Sequence, residues 1–232
     1  KPTRRLDSRA KVNGSAIYGI DVVRRGMKIA ALAQAPSFGS QLLSADESAA
    51  RAVRGVVRVI RLNDAVAVVA DHYWAARKGL AALAPQWSSV ARSLSQEAIA
   101  SQYATAAAQG TGTAPEAMAG PSAMRSALAS AATRISADYV QPFLAHAPME
   151  PGNCVLHWQP GSLEIWTGTQ IPDGAREAAA QTAGLPLDKV VLHNQLMGGG
   201  FGRRLEPDYV TRSVEIAMRC DFPVKVVWSR EE

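Results

Sequence analysis

The chain has 232 residues, of which 47% are hydrophobic and 19% are charged, and this balance excludes a generically disordered protein. The formal net charge is +5, and no stretch approaches the roughly 18 consecutive apolar residues that a membrane-spanning helix needs. The two cysteines, Cys154 and Cys220, are too few and too far apart for a disulfide framework, a structural zinc site or a four-cysteine iron–sulfur cluster within this chain.

Residues 12–90 alternate the patterns of strands and helices, which indicates a compact α/β unit. A helix predicted over 44–53 begins at Ser44 as its N-cap, and a second helix, over 72–83, begins after Asp71 as its N-cap. Apolar runs bounded by turn residues predict strands over 16–23, 27–33, 56–62 and 65–70.

Residues 91–133 differ from the preceding part in composition, because Ala, Ser, Gln and Gly dominate. Short helices are predicted over 95–103 and 124–132, and the remainder is interpreted as a linker that lies over a surface. Dense apolar patterning then returns, with strands predicted over 134–141, 154–158, 163–167, 190–194 and 222–228 and helices over 172–183 and 205–219. Helices interrupt strands throughout, so the predicted fold class is mixed α/β.

The basic charge is concentrated near the start of the sequence. Residues 1–61 carry 12 basic and 4 acidic side chains, whereas residues 62–232 carry 13 and 16. A basic segment can indicate nucleic-acid binding, but no recognition motif and no aromatic residues interleaved with basic ones accompany it. We therefore expect no nucleic-acid partner and interpret the charge as a solvated surface or a docking face for an acidic partner.

The strongest local signal is a glycine loop, Met-Gly-Gly-Gly-Phe-Gly-Arg-Arg, at residues 197–204. Consecutive glycines let backbone N–H groups approach a ligand, while the following helix N-terminus, Arg203 and Arg204 add positive charge. These features predict a cradle for phosphate or pyrophosphate, with a glycine-rich turn needed only for packing as the alternative. The loop is neither a P-loop, which needs Lys and Ser or Thr after the last glycine, nor the G-x-G-x-x-G dinucleotide fingerprint.

Other catalytic patterns find no support in the sequence. The four histidines are not paired at helical spacing, so no zincin-like helix is predicted and no protein metal ligand is expected. The sequence also has no Gly-x-Ser-x-Gly nucleophile elbow, which is the usual signal of a serine hydrolase.

Several stretches, in this order, resemble the molybdenum hydroxylases, the xanthine dehydrogenase and aldehyde oxidase family. Gly-Val-Val-Arg-Val-Ile at 55–60, followed by Val-Ala-Val-Val-Ala at 66–70, resembles the family's α/β hammerhead domain. The stretch at 139–151, which ends His-Ala-Pro-Met-Glu-Pro, is similar to the opening of its molybdopterin-binding domain. Ile-Trp-Thr-Gly-Thr-Gln-Ile-Pro at 165–172 resembles the segment with its active-site glutamine, and Gly-Gly-Gly-Phe-Gly at 198–202 resembles its cofactor loop. The set is most similar to the isoquinoline 1-oxidoreductase β-subunit branch.

The resemblance implies a hammerhead domain over 1–90, a linker over 91–133 and the N-terminal portion of a molybdopterin-binding domain over 134–232. It implies that Gln170 hydrogen-bonds a molybdenum oxo ligand. Glu150 matches a position of a family motif, and we interpret it first as a structural residue. The cofactor-binding residues that it implies are Gly198, Gly199, Gly200, Phe201, Gly202 and Arg203. Leu205 stands where xanthine-oxidising relatives have a substrate-orienting glutamate, so the resemblance favours aldehydes or N-heteroaromatic compounds over purines.

The implied cofactor is molybdopterin cytosine dinucleotide with molybdenum, and the implied reaction is hydroxylation with oxygen from water. The [2Fe–2S] clusters of such enzymes would lie in a partner subunit, because this chain has too few cysteines. The family's general base, in a Gly-Val-Gly-Glu stretch, does not occur in the sequence. We therefore expect a fragment that is inactive alone, that lacks the C-terminal half of the subunit and that comes from the bacterial cytoplasm or periplasm.

Two alternatives remain open at this point. The chain could be a binding or assembly module without catalysis, which docks onto a partner through its basic N-terminal part. It could also be a phosphate- or nucleotide-binding domain of another class, because a glycine loop suits many anions. Molybdenum and pterin content would separate the first interpretation from both alternatives.

Overall fold

The computed structural model describes residue 3 and residues 5–90, 95–110 and 121–230. The chain divides into two compact units, one from the described residues of 1–90 and 146–232 and the other from those of 91–145. Across these described ranges, no helix combines the length and apolar character that crossing a membrane requires.

The regular elements alternate along the chain, as the predicted mixed α/β class requires. The strands are β1 (Lys28–Gln34), β2 (Leu42–Ser44), β3 (Val56–Arg61), β4 (Ala65–Ala70), β5 (Gln86–Trp87), β6 (Asn153–Gln159), β7 (Ser162–Thr167), β8 (Val190–Asn194) and β9 (Val224–Val227). The α-helices are α1 (Ser8–Val12), α2 (Glu47–Arg51), α3 (Tyr73–Ala82), α4 (Gln96–Gln109), α5 (Pro121–Ser130), α6 (Pro172–Ala183) and α7 (Asp208–Ala217). Short 3₁₀ turns lie at Gly19–Asp21, Leu187–Lys189 and Arg203–Leu205.

The first unit is built on one mixed sheet with the strand order β3-β4-β1-β9-β6-β7-β8, and β2 pairs separately with β5. Strand β1 is antiparallel to β4 and parallel to β9, and β7 is parallel to β8. Strands from residues 1–90 and from residues 146–232 therefore share a continuous hydrogen-bonded sheet. This architecture confirms the mixed α/β class.

The sheet is covered on both faces by helices. All six residues of β4 are buried, as its continuous apolar run predicts. Val66 and Val68 pack with α2 and α3 in one apolar cluster, whereas Ala67 and Val69 belong to the cluster formed by α6 and α7 on the opposite face. The alternation follows from the two-residue period of a strand, and it places the sheet at the centre of the core.

The strand predicted over 16–23 is wrong. A 3₁₀ turn forms at Gly19–Asp21 instead, because the Asp21 carboxylate accepts the Tyr18 N–H at 2.9 Å and closes the turn locally. Tyr18 retains only an isolated parallel bridge to Leu196. This segment consequently lies beside the start of the glycine loop.

The strand predicted over 134–141 is also wrong. These residues have no regular structure and are exposed, with Tyr139 at 88%, so no neighbouring strand pairs with them inside the second unit. They belong to the second unit, with α4 and α5. Both helices predicted in the linker are present, and no residue of α4 is buried.

Helix starts differ from the sequence analysis in their caps. Asp46 rather than Ser44 caps α2, because its carboxylate accepts the Ala49 N–H at 3.0 Å. His72 caps α3 through Nδ1, whereas Asp71, the predicted cap, instead binds the Lys28 ammonium at 2.6 Å. Helix α7 begins at residue 208 rather than 205, because the 3₁₀ turn and Pro207 precede it.

Candidate functional site

The two predicted site motifs both follow strands that are neighbours in the sheet. Gln170 comes three residues after the end of β7, and the glycine loop follows β8. These strands are parallel, with Thr167 opposite Asn194, so the segments after them leave the same edge of the sheet. The topology therefore brings together motifs that are separate in the sequence.

Gln170 contacts the glycine loop directly. Its side-chain Oε1 accepts a hydrogen bond from the Gly202 N–H at 3.2 Å, and its own N–H donates to the Arg204 carbonyl at 3.0 Å. A Cβ atom on Gly200 would lie 2.5 Å from this Oε1, which is closer than real Cβ atoms approach. Gln170 is exposed, so its amide nitrogen remains open to a ligand.

The loop between residues 198 and 204 is a series of tight turns. Gly199 and Gly202 have φ values of +109° and +95°, which glycine adopts without steric cost. Phe201, between them, also has a positive φ of +53° and is 74% exposed. The Arg203 N–H closes one turn onto the Gly200 carbonyl at 2.9 Å.

Three successive N–H groups of the loop, those of Gly199, Gly200 and Phe201, have no acceptor within the described residues. Unpaired backbone donors in a row are suited to oxygen atoms of an anionic or polar ligand. This observation agrees with the predicted cradle at Gly198, Gly199, Gly200, Phe201 and Gly202. In the same described part of the chain, no three His, Cys, Asp or Glu side chains are grouped so that they could hold a metal ion.

The two arginines after the loop are both engaged within the protein. Arg203 forms a bidentate pair with Asp208 at 2.7 and 2.8 Å, and the hydrogen bond to this carboxylate raises the Arg203 pKa. Arg204 is only 3% exposed, and its guanidinium donates to the carbonyls of Gly168 and Pro151. The expectation that Arg204 offers charge to a ligand is therefore wrong, because burial directs that charge inward.

Glu150 is the buried partner of Arg204. Its Oε2 accepts from the Arg204 guanidinium at 3.4 Å and from the Gly198 N–H at 2.8 Å. Its Oε1 accepts from the Ile20 N–H at 3.0 Å and from the Asn153 amide at 2.9 Å. These contacts are those of a structural residue, as the sequence analysis interpreted Glu150.

Some residues of the site escaped the sequence analysis. The Asn194 side chain exchanges two hydrogen bonds with the Thr169 backbone, at 3.0 and 3.2 Å, and so clamps together the segments that follow β7 and β8. The Thr169 hydroxyl donates to the Arg204 carbonyl at 3.1 Å. Isolated Asn and Thr residues after strands are common in sequences, so no local pattern indicated these contacts.

Comparison with known proteins shows the family to which the chain belongs. Residues 109–232 match the molybdopterin cofactor-binding domain family. The β subunit of isoquinoline 1-oxidoreductase from Brevundimonas diminuta is 35% identical over an alignment that covers all of this chain and 31% of that protein. The membrane-bound aldehyde dehydrogenase [pyrroloquinoline-quinone] of Gluconacetobacter polyoxogenes is 30% identical over 98% of this chain and 30% of its own length.

Solved structures have the same fold. Quinoline 2-oxidoreductase from Pseudomonas putida 86 superposes with a TM-score of 0.70 at 19% identity, covering 99% of this chain and 34% of that one. Aldehyde oxidoreductase from Desulfovibrio gigas gives 0.72 at 20% identity, covering 97% and 30%. The chain thus spans about a third of the length of the proteins that it matches. The resemblance to molybdenum hydroxylases is confirmed, and the chain belongs to the molybdopterin cofactor-binding domain family.

Proposed function

We propose that this chain supplies one wall of the cofactor site of a molybdenum hydroxylase and works within a larger catalytic subunit. The observation that carries the proposal is the hydrogen bond between Gln170 Oε1 and the Gly202 N–H, which joins the two motifs at one sheet edge. This contact places the Gln170 side chain beside the loop that carries the free N–H groups.

The proposed cofactor is molybdopterin cytosine dinucleotide with molybdenum, and the residues present fit such a group. The free N–H groups of Gly199, Gly200 and Phe201 would donate to its oxygen atoms. The Gln170 amide nitrogen, whose companion oxygen accepts from the Gly202 N–H, would donate to the same group. Gly198 and Arg203 would contribute by fixing the two ends of the loop. When bound, the cofactor would supply the oxidative hydroxylation of an electron-poor carbon with oxygen from water.

We propose a small N-heteroaromatic compound or an aldehyde as the substrate. Leu205, 48% exposed, stands where the xanthine-oxidising relatives have a glutamate, so the loop lacks that carboxylate. The names of the similar proteins, isoquinoline 1-oxidoreductase and aldehyde oxidoreductase, support the same two classes. The general base would come from a part of the subunit outside this sequence.

The proposed partners are a small subunit with [2Fe–2S] clusters and the remainder of the catalytic subunit. Cys154 and Cys220 are both buried and free, so neither is placed to ligate a cluster at the surface. A location in the bacterial cytoplasm or periplasm, with the periplasm preferred, belongs to the same proposal and can be tested by cell fractionation.

The test is to purify the protein that carries this chain together with its accompanying subunits. Molybdenum per chain is measured by elemental analysis, and the nucleotide released on cofactor hydrolysis is identified by mass spectrometry. We expect near-stoichiometric molybdenum, cytidine monophosphate and oxidation of isoquinoline or an aromatic aldehyde. Bound ATP or NAD without molybdenum would overturn the proposal in favour of another nucleotide-binding class.

A matched measurement uses the 232-residue chain alone. We expect it to be inactive, because the Gly-Val-Gly-Glu stretch is not in its sequence. Molybdenum-dependent aldehyde or isoquinoline oxidation by the isolated chain would contradict this expectation. A chain that binds its partner subunit but has no site for the cofactor would favour the assembly-module alternative.

A further inference from the structure

A single carboxylate oxygen holds both ends of the glycine loop. Glu150 Oε2 accepts from the N–H of Gly198, where the loop begins, and from the guanidinium of Arg204, where it ends. The backbone adds to this closure, because the Glu150 N–H donates to the Gly198 carbonyl at 3.1 Å and the Glu150 carbonyl accepts from Arg204 at 3.2 Å. Glu150 thus connects the first and last residues of the loop, Gly198 and Arg204, through hydrogen bonds.

The closure is shielded from solvent. The side chains of Glu150 and Arg204 are only 6% and 3% exposed, so water competes little for their hydrogen bonds. A Cβ atom on Gly198 would lie 2.5 Å from the Glu150 Cβ, which shows how closely the two backbones approach. Only glycine at position 198 allows the carboxylate to reach the loop in this way.

This closure of the loop by Glu150 is connected to Gln170 through the backbone of Arg204. The Arg204 carbonyl accepts from the Gln170 N–H at 3.0 Å and from the Thr169 hydroxyl at 3.1 Å. Movement of Arg204 would therefore displace Gln170 relative to Gly200 and Gly202. Through Arg204, the position of Gln170 therefore depends on Glu150, which makes no hydrogen bond to Gln170 itself.

The second oxygen of Glu150 extends the connection to the N-terminal segment. Oε1 accepts from the Ile20 N–H, and the Ile20 carbonyl in turn accepts from the Lys225 ammonium at 2.5 Å. Lys225 is 6% exposed and lies on the central strand β9. The glycine loop is thereby connected to the central strand β9 as well as to strand β8, which it follows.

We propose that Glu150 is a positioning residue that fixes the glycine loop and Gln170 in the geometry that receives the cofactor. The part of the proposal that concerns the cofactor rests on the proposed function, whereas the closure of the loop by Glu150 does not. A purely structural role would stabilise the fold without specifically shaping the loop. Replacing the buried pair by neutral side chains distinguishes the two roles. If the role is purely structural, loop protection and cofactor content should recover together with thermal stability; if Glu150 positions the loop, only thermal stability should recover.

The experiment compares three forms of the assembled protein: wild type, Glu150→Gln and the double variant Glu150→Gln with Arg204→Met. Glu150→Gln leaves the Arg204 charge buried without its partner and places an amide donor against N–H donors. The double variant removes both charges at similar side-chain volume, so thermal stability should recover towards wild type. Glu47→Gln, which removes an equivalent charge from the exposed pair with Arg51, is the control.

The informative measurement is amide hydrogen exchange in the segment 198–204, followed by mass spectrometry. We expect exchange there to be at least about tenfold faster in both Glu150 variants, with β4 protected as in wild type, and cofactor content to fall by a similar factor. Glu47→Gln should change neither quantity. If the double variant recovers loop protection and cofactor content together with its melting temperature, the role is structural only and the proposal fails.

The outcomes for the two proposals are separable. Wild-type protein without molybdenum or pterin would refute the proposed function, yet exchange in the loop would still test the closure by Glu150. Wild-type protein that contains cofactor, with a loop unaffected by either variant, would refute the positioning role alone. If Glu150→Gln does not fold, hydrogen exchange in the loop and cofactor content of the double variant test the positioning role.

Discussion

The side-chain oxygen of Gln170 lies 3.2 Å from the backbone nitrogen of Gly202 and accepts its hydrogen. This hydrogen bond determines which end of the amide is available, because the oxygen is occupied and the nitrogen has no acceptor among the described residues. A glutamine held in this way is a fixed donor directed by the loop. It can stabilise negative charge on a ligand without reorganising when the ligand binds.

Replacing Gln170 should therefore affect turnover rather than folding. We expect Gln170→Ala to lower kcat by about 100-fold, because one preorganised donor is lost, while the melting temperature stays unchanged because the side chain is exposed. Gln170→Glu keeps an acceptor for Gly202 but loses the donor, and it should be similarly impaired. Steady-state kinetics and thermal unfolding of the assembled enzyme check both. Unaltered turnover in Gln170→Ala would remove the residue from its proposed role.

A methyl group at Gly200 tests the close approach between the loop and Gln170. The Cβ of Gly200→Ala would lie 2.5 Å from Gln170 Oε1 and would displace the end of this side chain from its position on the loop. We expect at least about a tenfold loss of kcat, with a change in the free energy of unfolding below about 1 kcal/mol. Gly152→Ala is the control, because its Cβ would meet Trp228 only at ordinary contact distance, 3.5 Å. Equal activity in the two variants would argue against the importance of this contact.

Gly79 provides a test of packing within the first unit. Helix propensity alone predicts that Gly79→Ala stabilises α3 by about 0.5–1 kcal/mol. A Cβ atom at this position would, however, lie 2.8 Å from Val68 and 2.9 Å from Val56, both in apolar contact with the helix. We expect the steric effect to dominate and the variant to lose about 1–3 kcal/mol in chemical denaturation. A gain in stability would mean that β3 and β4 shift to make room for the added methyl group more easily than their burial implies.

Alkaline pH should destabilise the protein through its buried thiols. Burial raises the pKa of Cys154 from 9.0 to about 12 and that of Cys220 to about 11. Above about pH 9 the unfolded chain loses these protons while the folded chain keeps them, so stability present at lower pH is lost as the pH rises towards the folded values. The free energy of unfolding should consequently fall between about pH 9 and about pH 11.

The contribution of Cys154 can be separated by substitution. Cys154→Ala should be less stable at neutral pH, because a buried sulfur is lost, but its stability should fall less steeply in the alkaline range. Cys220→Ala should flatten the profile to a smaller degree, because folding raises the pKa of that thiol less. Urea denaturation across the pH series is the measurement. Profiles parallel to wild type in both variants would show that other groups control the alkaline transition.

Elements with complete local signals were predictable from the sequence. The bounds of α6 agree with the prediction, because Pro172 suits the first helical position and Gly184, with φ +64°, suits the end. Strand β4 was predictable because a continuous apolar run is buried on both faces. The 3₁₀ turn at Gly19–Asp21 was missed, because the apolar residues over 16–23 suggest a strand. The structure instead has the Asp21 carboxylate closing a turn onto the Tyr18 N–H, and the Ile20 N–H is held by Glu150, 130 positions away.

The site was predictable as separate parts but not as an arrangement. The glycine loop was identified from its own residues and Gln170 from the resemblance to a family, while their contact depends on the parallel pairing of β7 and β8. The burial of Arg204 could not be foreseen, because arginine is mostly exposed and its carboxylate partner precedes it by 54 positions. Long-range pairing of charged groups has no local pattern in a sequence.

The parallel pairing of β1 with β9 has a consequence for how the protein folds as it is synthesised. Lys28 lies opposite Val224, so one side of β1 has no partner until the 196 positions that separate these two residues have been synthesised. During that time β1 presents unpaired backbone groups along an apolar edge, which invites pairing with other nascent chains. The centre of the sheet is therefore completed last, and the vulnerable period of this chain ends only when β9 is inserted beside β1.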